Sequence, residues 1–475
     1  MKRPPFYAFC ILGALAWMSA LSAFALSEEI AALIARPTQL NADVGSPNHP
    51  ATTDSEQAQA FYNQGLGWTH SYFWIEAARS FRQALEHDEN LALAHVGMAL
   101  AYRQLGDMEA SKERMARAME LREQASDRER RYIEARQTQW SADQAKGEER
   151  GNLMNQYRSE LTRLVEDYPW DAELWVARGQ AEESGTRGIG QRGRAKQAAW
   201  YEAALARDPS HIGALHYLTH CYENIRAYEL AVNRAEKYGN RAKAAPHAQH
   251  MVGHVLPRAG RWEDAARRFA RAHRLEMNYF KAENVKPGVE WHHLHNLHLY
   301  GMALMRLGKE RQARQILQRA LDIRKGGGEA RRYWECLLHF ERYDQVLKLT
   351  GEWEQDRNFA EAYAIEALLL AGQLEKARER LAELEKDENS ERRLELLKAK
   401  TALFSEDEEE RKKGEEKLLE RAGQMSRKAS FDGWGDGLFN IARMMKAAQL
   451  AQNDALLQGL TAELRRIDPV YDPLQ

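Results

Sequence analysis

From Ser55 onward, small and apolar residues return every thirty-four positions, with charged residues between them. Phe61, Gly65, Trp68, Ala77, Phe81 and Ala84 open the pattern, and adding thirty-four gives His95, Ala99, Tyr102, Ser111, Met115 and Ala118. Within each period the apolar positions stand three or four apart, so they share one face of a helix. Leu105-Gly106 marks the turn between the two helices of a period. One such hairpin cannot bury its own apolar face, and stacked neighbours complete the core.

That period is the one of the tetratricopeptide repeat. It predicts an all-α fold, a right-handed superhelical solenoid whose inner groove is lined by the first helix of each unit. After a polar helical connector the pattern resumes at Trp175, Gly179, Tyr201, Ala204 and Pro209, with a glycine-rich insertion, Gly185 to Arg194, read as a surface flap. Strict register follows through Leu215, Thr219, Tyr222, Ala231 and Ala235, then Gln249, Gly253, Leu256, Ala265, Phe269 and Ala272. A loop ending near Trp291 leads to a unit marked by Gly301, Leu304, Ala313, Leu317 and Ala320. The expected sections are a signal peptide 1–25, an extended leader 26–56, a repeat pair 57–125, a helical connector 126–171, central units 172–325 and repeat-like helices 326–475. The acidic run Ser405 to Glu410 reads as a solvated face or loop.

The 68 basic and 70 acidic residues nearly cancel, which suggests no nucleic-acid partner. Lys2 and Arg3 precede an apolar run from Phe6 to Met18, and Ala23-Phe24-Ala25 has the small-x-small pattern of a cleavage site. Cleavage after Ala25 and a periplasmic or secreted product are expected, with no membrane span left afterwards. The alternative is an uncleaved anchor spanning Phe6 to Ala25. Cys221 and Cys336 then remain, too many repeats apart for a disulfide, and are read as buried thiols.

Eleven of the sixteen histidines fall between His211 and His298. Numbering each unit with Phe61 and its equivalents as position four places His216, His250 and His298 at position five. His220 and His254 take position nine, and His247 and His295 position two. Those positions line the inner face, with Glu223 at position twelve and Arg258 and Arg306 at position thirteen. Two imidazoles one turn apart can hold one metal ion, and a neighbouring helix about 8 to 10 Å away can supply the rest.

The leading ligands are therefore His216, His220, His250, His254 and His298, for a transition metal such as zinc, copper or iron. Glu223 is a further ligand or a base that activates metal-bound water. His247, His295 and Asn296 serve as supporting contacts, and Arg258 and Arg306 can clasp a carboxylate or phosphate. The competing reading is a scaffold that grips a peptide or partner protein in the groove without metal or catalysis. His292 and His293, just before the helix, are the weakest members of the patch, while His70, His87, His95 and His339 suit packing or surface roles. No His-Glu-x-x-His, Gly-x-Ser-x-Gly or phosphate-binding loop is present, so no enzyme class is indicated.

Three motifs resemble those of exported bacterial tetratricopeptide-repeat proteins with a histidine-bearing middle section. They are His216-Tyr-Leu-Thr-His220-Cys-Tyr-Glu223, His247-Ala-Gln-His250-Met-Val-Gly-His254 ending in Arg258 and Gly260, and His295-Asn296-Leu-His298. Thr69-His70-Ser71-Tyr-Phe-Trp74 through Phe81 is similar to the first repeat of that family. The likeness covers residues 55 to 325 and departs at Val252, where the family commonly has proline. It implies a repeat fold and export, and it supplies no reaction.

Overall fold

In the computed structural model of the chain, residues 27–471 are described apart from 184, 186–188, 387–390 and 429–432. The expected signal peptide lies outside the described residues, as does part of the Gly185 to Arg194 insertion. The chain is an all-α solenoid of helical hairpins, with no strand among the described residues. It divides into two compact units, residues 1–218 with 240–245 and residues 219–239 with 246–475.

Hairpin geometry explains why the small residues recur. Gly253 sits where a Cβ would come within 2.9 Å of the Phe269 ring, so its lack of a side chain lets the two helices approach closely. Gly179 has the same relation to Tyr201. The partner follows by sixteen residues in the first case (269 − 253) and by twenty-two in the second (201 − 179). The six extra residues of the insertion therefore leave the helix contact unchanged. Between hairpins, Ala265, Phe269, Ala272, Ala313, Leu317 and Ala320 are all buried, as the period requires.

In the first unit the leader is more than an extended strand. Glu28–Ile34 is a helix, and the segment after it is held through its backbone. Gln64 accepts from the Asn41 amide at 2.7 Å and donates to the Gln39 carbonyl at 3.1 Å, while Arg79 and Arg82 donate to the carbonyls of Pro37 and Ile34. These side chains satisfy main-chain groups that have no helix or sheet to pair with. The connector is a long hairpin, Asp127–Gln144 and Gly147–Asp167. The insertion is docked at its end instead of standing free as a flap: Tyr72 donates to the Ile189 carbonyl at 2.5 Å, and the Arg192 amide donates to Glu183 at 2.7 Å.

In the second unit the expected loop before Trp291 is mostly helix. Trp262–Glu283 runs for 22 residues, against 14 for the equivalent Glu310–Ile323. No proline or glycine interrupts Arg274 to Glu283, so nothing in the sequence ends the helix earlier. The acidic run opens the helix Glu408–Lys428, with Asp407 accepting from the amides of Glu409 and Glu410. Acidic side chains there complement the helix dipole and remain exposed.

The last hairpin of this unit folds back onto the first helices of the C-terminal repeats. From helix Gly433–Leu450, Arg443 reaches Glu366 at 3.1 Å and Glu335 at 3.4 Å, Asp436 pairs with Arg331 and Arg332, and Lys446 pairs with Glu341. Glu366 also pairs with the buried Lys400. The chain's own helix thus occupies the inner face that a peptide would use in these repeats. Among the described residues, no helix is long and apolar enough to cross a membrane. Cys221 and Cys336 are buried thiols, and burial pushes the Cys336 thiol up to about 12.

Candidate metal centre

Helix Pro246–Val255 carries His247, His250 and His254, and helix Trp291–Arg306 carries His292, His293, His295 and His298. Both are first helices of adjacent hairpins in the second unit. Ligand atoms of His250, His254 and His295 lie within 4.8 Å of one another. The ring centroids of His250 are 5.6 Å from His254 and 4.8 Å from His295. Trp291, 45 % exposed, stacks beside His295 at 6.2 Å, so the cluster lies one side chain from solvent.

What surrounds these rings fixes their protons. Asn296 donates through Nδ2 to the Phe269 carbonyl at 3.0 Å, so its Oδ1 is an acceptor, and His250 Nδ1 donates to it at 3.1 Å. His250 Nε2 therefore holds a lone pair, and that buried atom has no hydrogen-bond partner in the structure. His254 Nδ1 stands 3.0 Å from Glu223 Oε1, both side chains being fully buried. The two groups stand at ion-pair distance without the alignment of a hydrogen bond. Burial, reinforced by His292, His295 and His254, pushes the His250 pKa well down, so the ring is neutral and its lone pair available at neutral pH.

Two other groups that each lie within one unit have similar composition and a different hydrogen-bond balance. In the first unit, His70 and His211 both donate Nε2–H to Glu173, at 3.0 and 3.1 Å. Their other nitrogens meet the Tyr217 hydroxyl and the Ala214 amide. Every ring nitrogen is engaged, and the two histidines hold the buried Glu173 carboxyl well below the usual range. That group is a self-satisfied polar network. In the second unit, His273, Glu276 and His293 also converge. There Arg319 donates to His273 Nε2 at 2.8 Å, which leaves the proton on Nδ1 and opposes ligation, and Glu276 spends both oxygens on His292 and His293.

The remaining sequence candidates are distributed as follows. His216 belongs to the first unit, where its Nδ1 meets the His70 carbonyl at 2.7 Å and its ring stands edge-on to Tyr72. His220 belongs to the second unit and is fully buried. His247 stacks on His250 at 5.7 Å. His298 lies outside the converging trio, 3.9 Å from Glu329, and burial together with the nearby Arg332 lowers its pKa well below the usual value. Arg258 lies over the Tyr228 ring at 5.5 Å. Arg306 does hold a carboxylate, that of Asp468, at 2.5 Å.

Sequence reasoning missed Glu276 and undervalued His292. Glu276 Oε1 accepts from His292 Nδ1 at 2.6 Å and Oε2 from His293 Nδ1 at 2.7 Å. Burial works against its charge, yet the two histidines hold its carboxyl down at about 2. The available signal was the spacing: Gln249 and Leu297 hold equivalent places forty-eight residues apart, fourteen more than one period. Those extra residues hold the helical extension that continues from Glu276.

Two segments of the chain, residues 92–124 and 294–326, match the model of the tetratricopeptide repeat. No curated protein matches the chain in sequence. Among solved structures, it is similar to the tetratricopeptide-repeat domain of P58(IPK) at 10 % identity, covering 87 % of this chain and 98 % of that one with a TM-score of 0.25. It is also similar to the APC/C hetero-tetramer Cut9-Hcn1 at 12 % identity, over 97 % and 82 % of the two chains with a TM-score of 0.33. A monomeric mutant of IFIT1 with Gppp-AAAA is similar at 11 % identity, over 96 % and 99 % with a TM-score of 0.31. Scores this low say nothing of partners or chemistry. One segment of each unit thus matches the tetratricopeptide-repeat model, 92–124 in the first and 294–326 in the second.

Proposed function

We propose that the second unit binds a transition-metal ion through His250, His254 and His295. The observation that carries this reading is the convergence of three ligand atoms within 4.8 Å, with Asn296 holding the His250 ring from behind and Glu223 3.0 Å from His254. Neutral imidazoles suit zinc, copper and iron, and the absence of thiolates from the trio separates it from a sulfur-rich structural zinc site. Glu223 acts here as the orienting partner of His254 rather than as a free base. Export, expected from the N-terminal pattern Lys2 to Ala25, is part of the same proposal and would place the site in the periplasm or outside the cell.

The test is elemental analysis of untagged protein beside a His250→Ala, His254→Ala double variant. Near-stoichiometric zinc, copper or iron that disappears in the variant supports the reading. Protein that carries no such metal and retains none after incubation with each ion overturns it.

Helical repeats of this kind are typical of protein–protein interaction, and a partner protein or peptide is the second reading. A specific observation limits where it can bind. Helix Gly433–Leu450 fills the inner face of the C-terminal repeats through Arg443, Glu335 and Glu366, so a partner in the second unit uses other surfaces or displaces that helix.

A further inference from the structure

Resting on the metal reading above, we infer that His292 is the fourth ligand of the ion and that Glu276 is its positioning residue, which makes the centre a closed site of four imidazoles. Helix Pro246–Val255 would supply His250 and His254, one turn apart, and helix Trp291–Arg306 would supply His292 and His295, three residues apart. Each helix thus contributes two rings to the space between them.

The geometry around His292 supports the assignment. Its ring stands edge-on to His250 at 4.7 Å and lies 6.4 Å from His295. Its Nδ1 donates to the Glu276 carboxylate at 2.6 Å, so in the neutral ring, the form that binds a metal, Nε2 holds the lone pair. That nitrogen is buried and has no hydrogen-bond partner in the structure. A buried polar atom without a partner is costly, and a cation shared by the neutral His292 ring and His250 Nε2, which also has no partner, removes both deficits at once. Glu276 also accepts from His293, which prevents the carboxylate from turning towards the ion itself. Its charge is spent on orienting His292, as carboxylates behind metal-bound histidines do.

The consequence is a difference in kind. A three-histidine site leaves a position for water or substrate, whereas a four-histidine site holds its ion without one. The inferred class is therefore an ion-holding centre, not a hydrolytic one.

The experiment is titration of the full-length protein and of His292→Ala and Glu276→Gln with Co2+, read by visible absorption, with azide added afterwards. Wild type is expected to give a four-coordinate spectrum that azide does not change. His292→Ala is expected to bind Co2+ at least 10-fold more weakly, to respond to azide, and to recover the wild-type spectrum with added imidazole. Glu276→Gln is expected to lose about 10-fold in affinity while remaining azide-insensitive. Far-ultraviolet circular dichroism separates lost binding from lost fold. Binding by wild type with an azide-sensitive spectrum, or equal affinity in a folded His292→Ala, overturns this inference and leaves the three-histidine reading standing. Failure of wild type to bind Co2+, Zn2+ or Cu2+ overturns both.

Discussion

His254 and Glu223 face each other across two different hairpins of the second unit, with Nδ1 and Oε1 3.0 Å apart and neither side chain exposed. A carboxylate at that distance favours a proton on His254 Nδ1, which would leave the ring's other nitrogen to an ion. Glu223→Gln keeps the shape and removes the charge. Metal affinity is expected to fall by roughly 10-fold to 100-fold. Competition with a colorimetric chelator reads this directly, and an unchanged affinity would show that Glu223 does not orient the ligand.

Gly253 lies between His250 and His254 in sequence and against Phe269 in space. A branched side chain there has to displace an aromatic ring in a packed hairpin, at a cost of about 1 to 3 kcal/mol or more. Gly253→Val is expected to lower the thermal midpoint and, by tilting the helix, to weaken metal binding. A midpoint within experimental error of wild type would contradict the close packing of this hairpin.

Asp468 is completely buried and accepts from Trp262 Nε1 at 3.2 Å and from Arg306. Asp468→Ala strands the guanidinium beside two aromatic rings, those of Trp262 and Tyr471. Because Arg306 is partly exposed, the expected loss is about 2 kcal/mol, below that of a fully buried pair. Urea denaturation measures it, and intrinsic tryptophan fluorescence should shift as Trp262 loses its partner. A variant as stable as wild type would mean that the tail does not anchor this unit.

His339 provides a pH prediction away from the candidate metal centre. Burial lowers its pKa to about 4, only partly offset by its bond to the Met305 carbonyl. The unfolded chain, with the ordinary value of about 6.5, therefore takes up a proton first as pH falls. Stability from this group is complete above about pH 6.5 and declines towards pH 4, by up to about 3 kcal/mol. His95 and His273 are lowered to about 4 as well and add to the slope. His339→Gln should flatten the dependence of the thermal midpoint between pH 4 and 7. An unaltered slope would show that His339 is not neutral in the folded protein.

The sequence by itself determined the helical hairpins, their register, the buried alanines and the glycine under Phe269. Each follows from residues near one another in the chain, where a period of thirty-four reports a repeating local packing problem. The same numbering brought His250, His254, His295, Asn296 and Glu223 to one inner face, because equivalent positions in stacked repeats are neighbours. Tertiary structure decided which histidines carry free lone pairs. Glu276 reaches His292 only because the Trp262–Glu283 helix overruns its period. The His70, Glu173 and His211 group looks equally ligand-like by composition, yet its nitrogens are all taken. Arg306 and the inner face of the C-terminal repeats, both readable as binding groups, are occupied by Asp468 and by helix Gly433–Leu450 from far along the chain. Hydrogen-bond satisfaction depends on atoms brought together from distant segments, and a periodic pattern carries no record of those meetings.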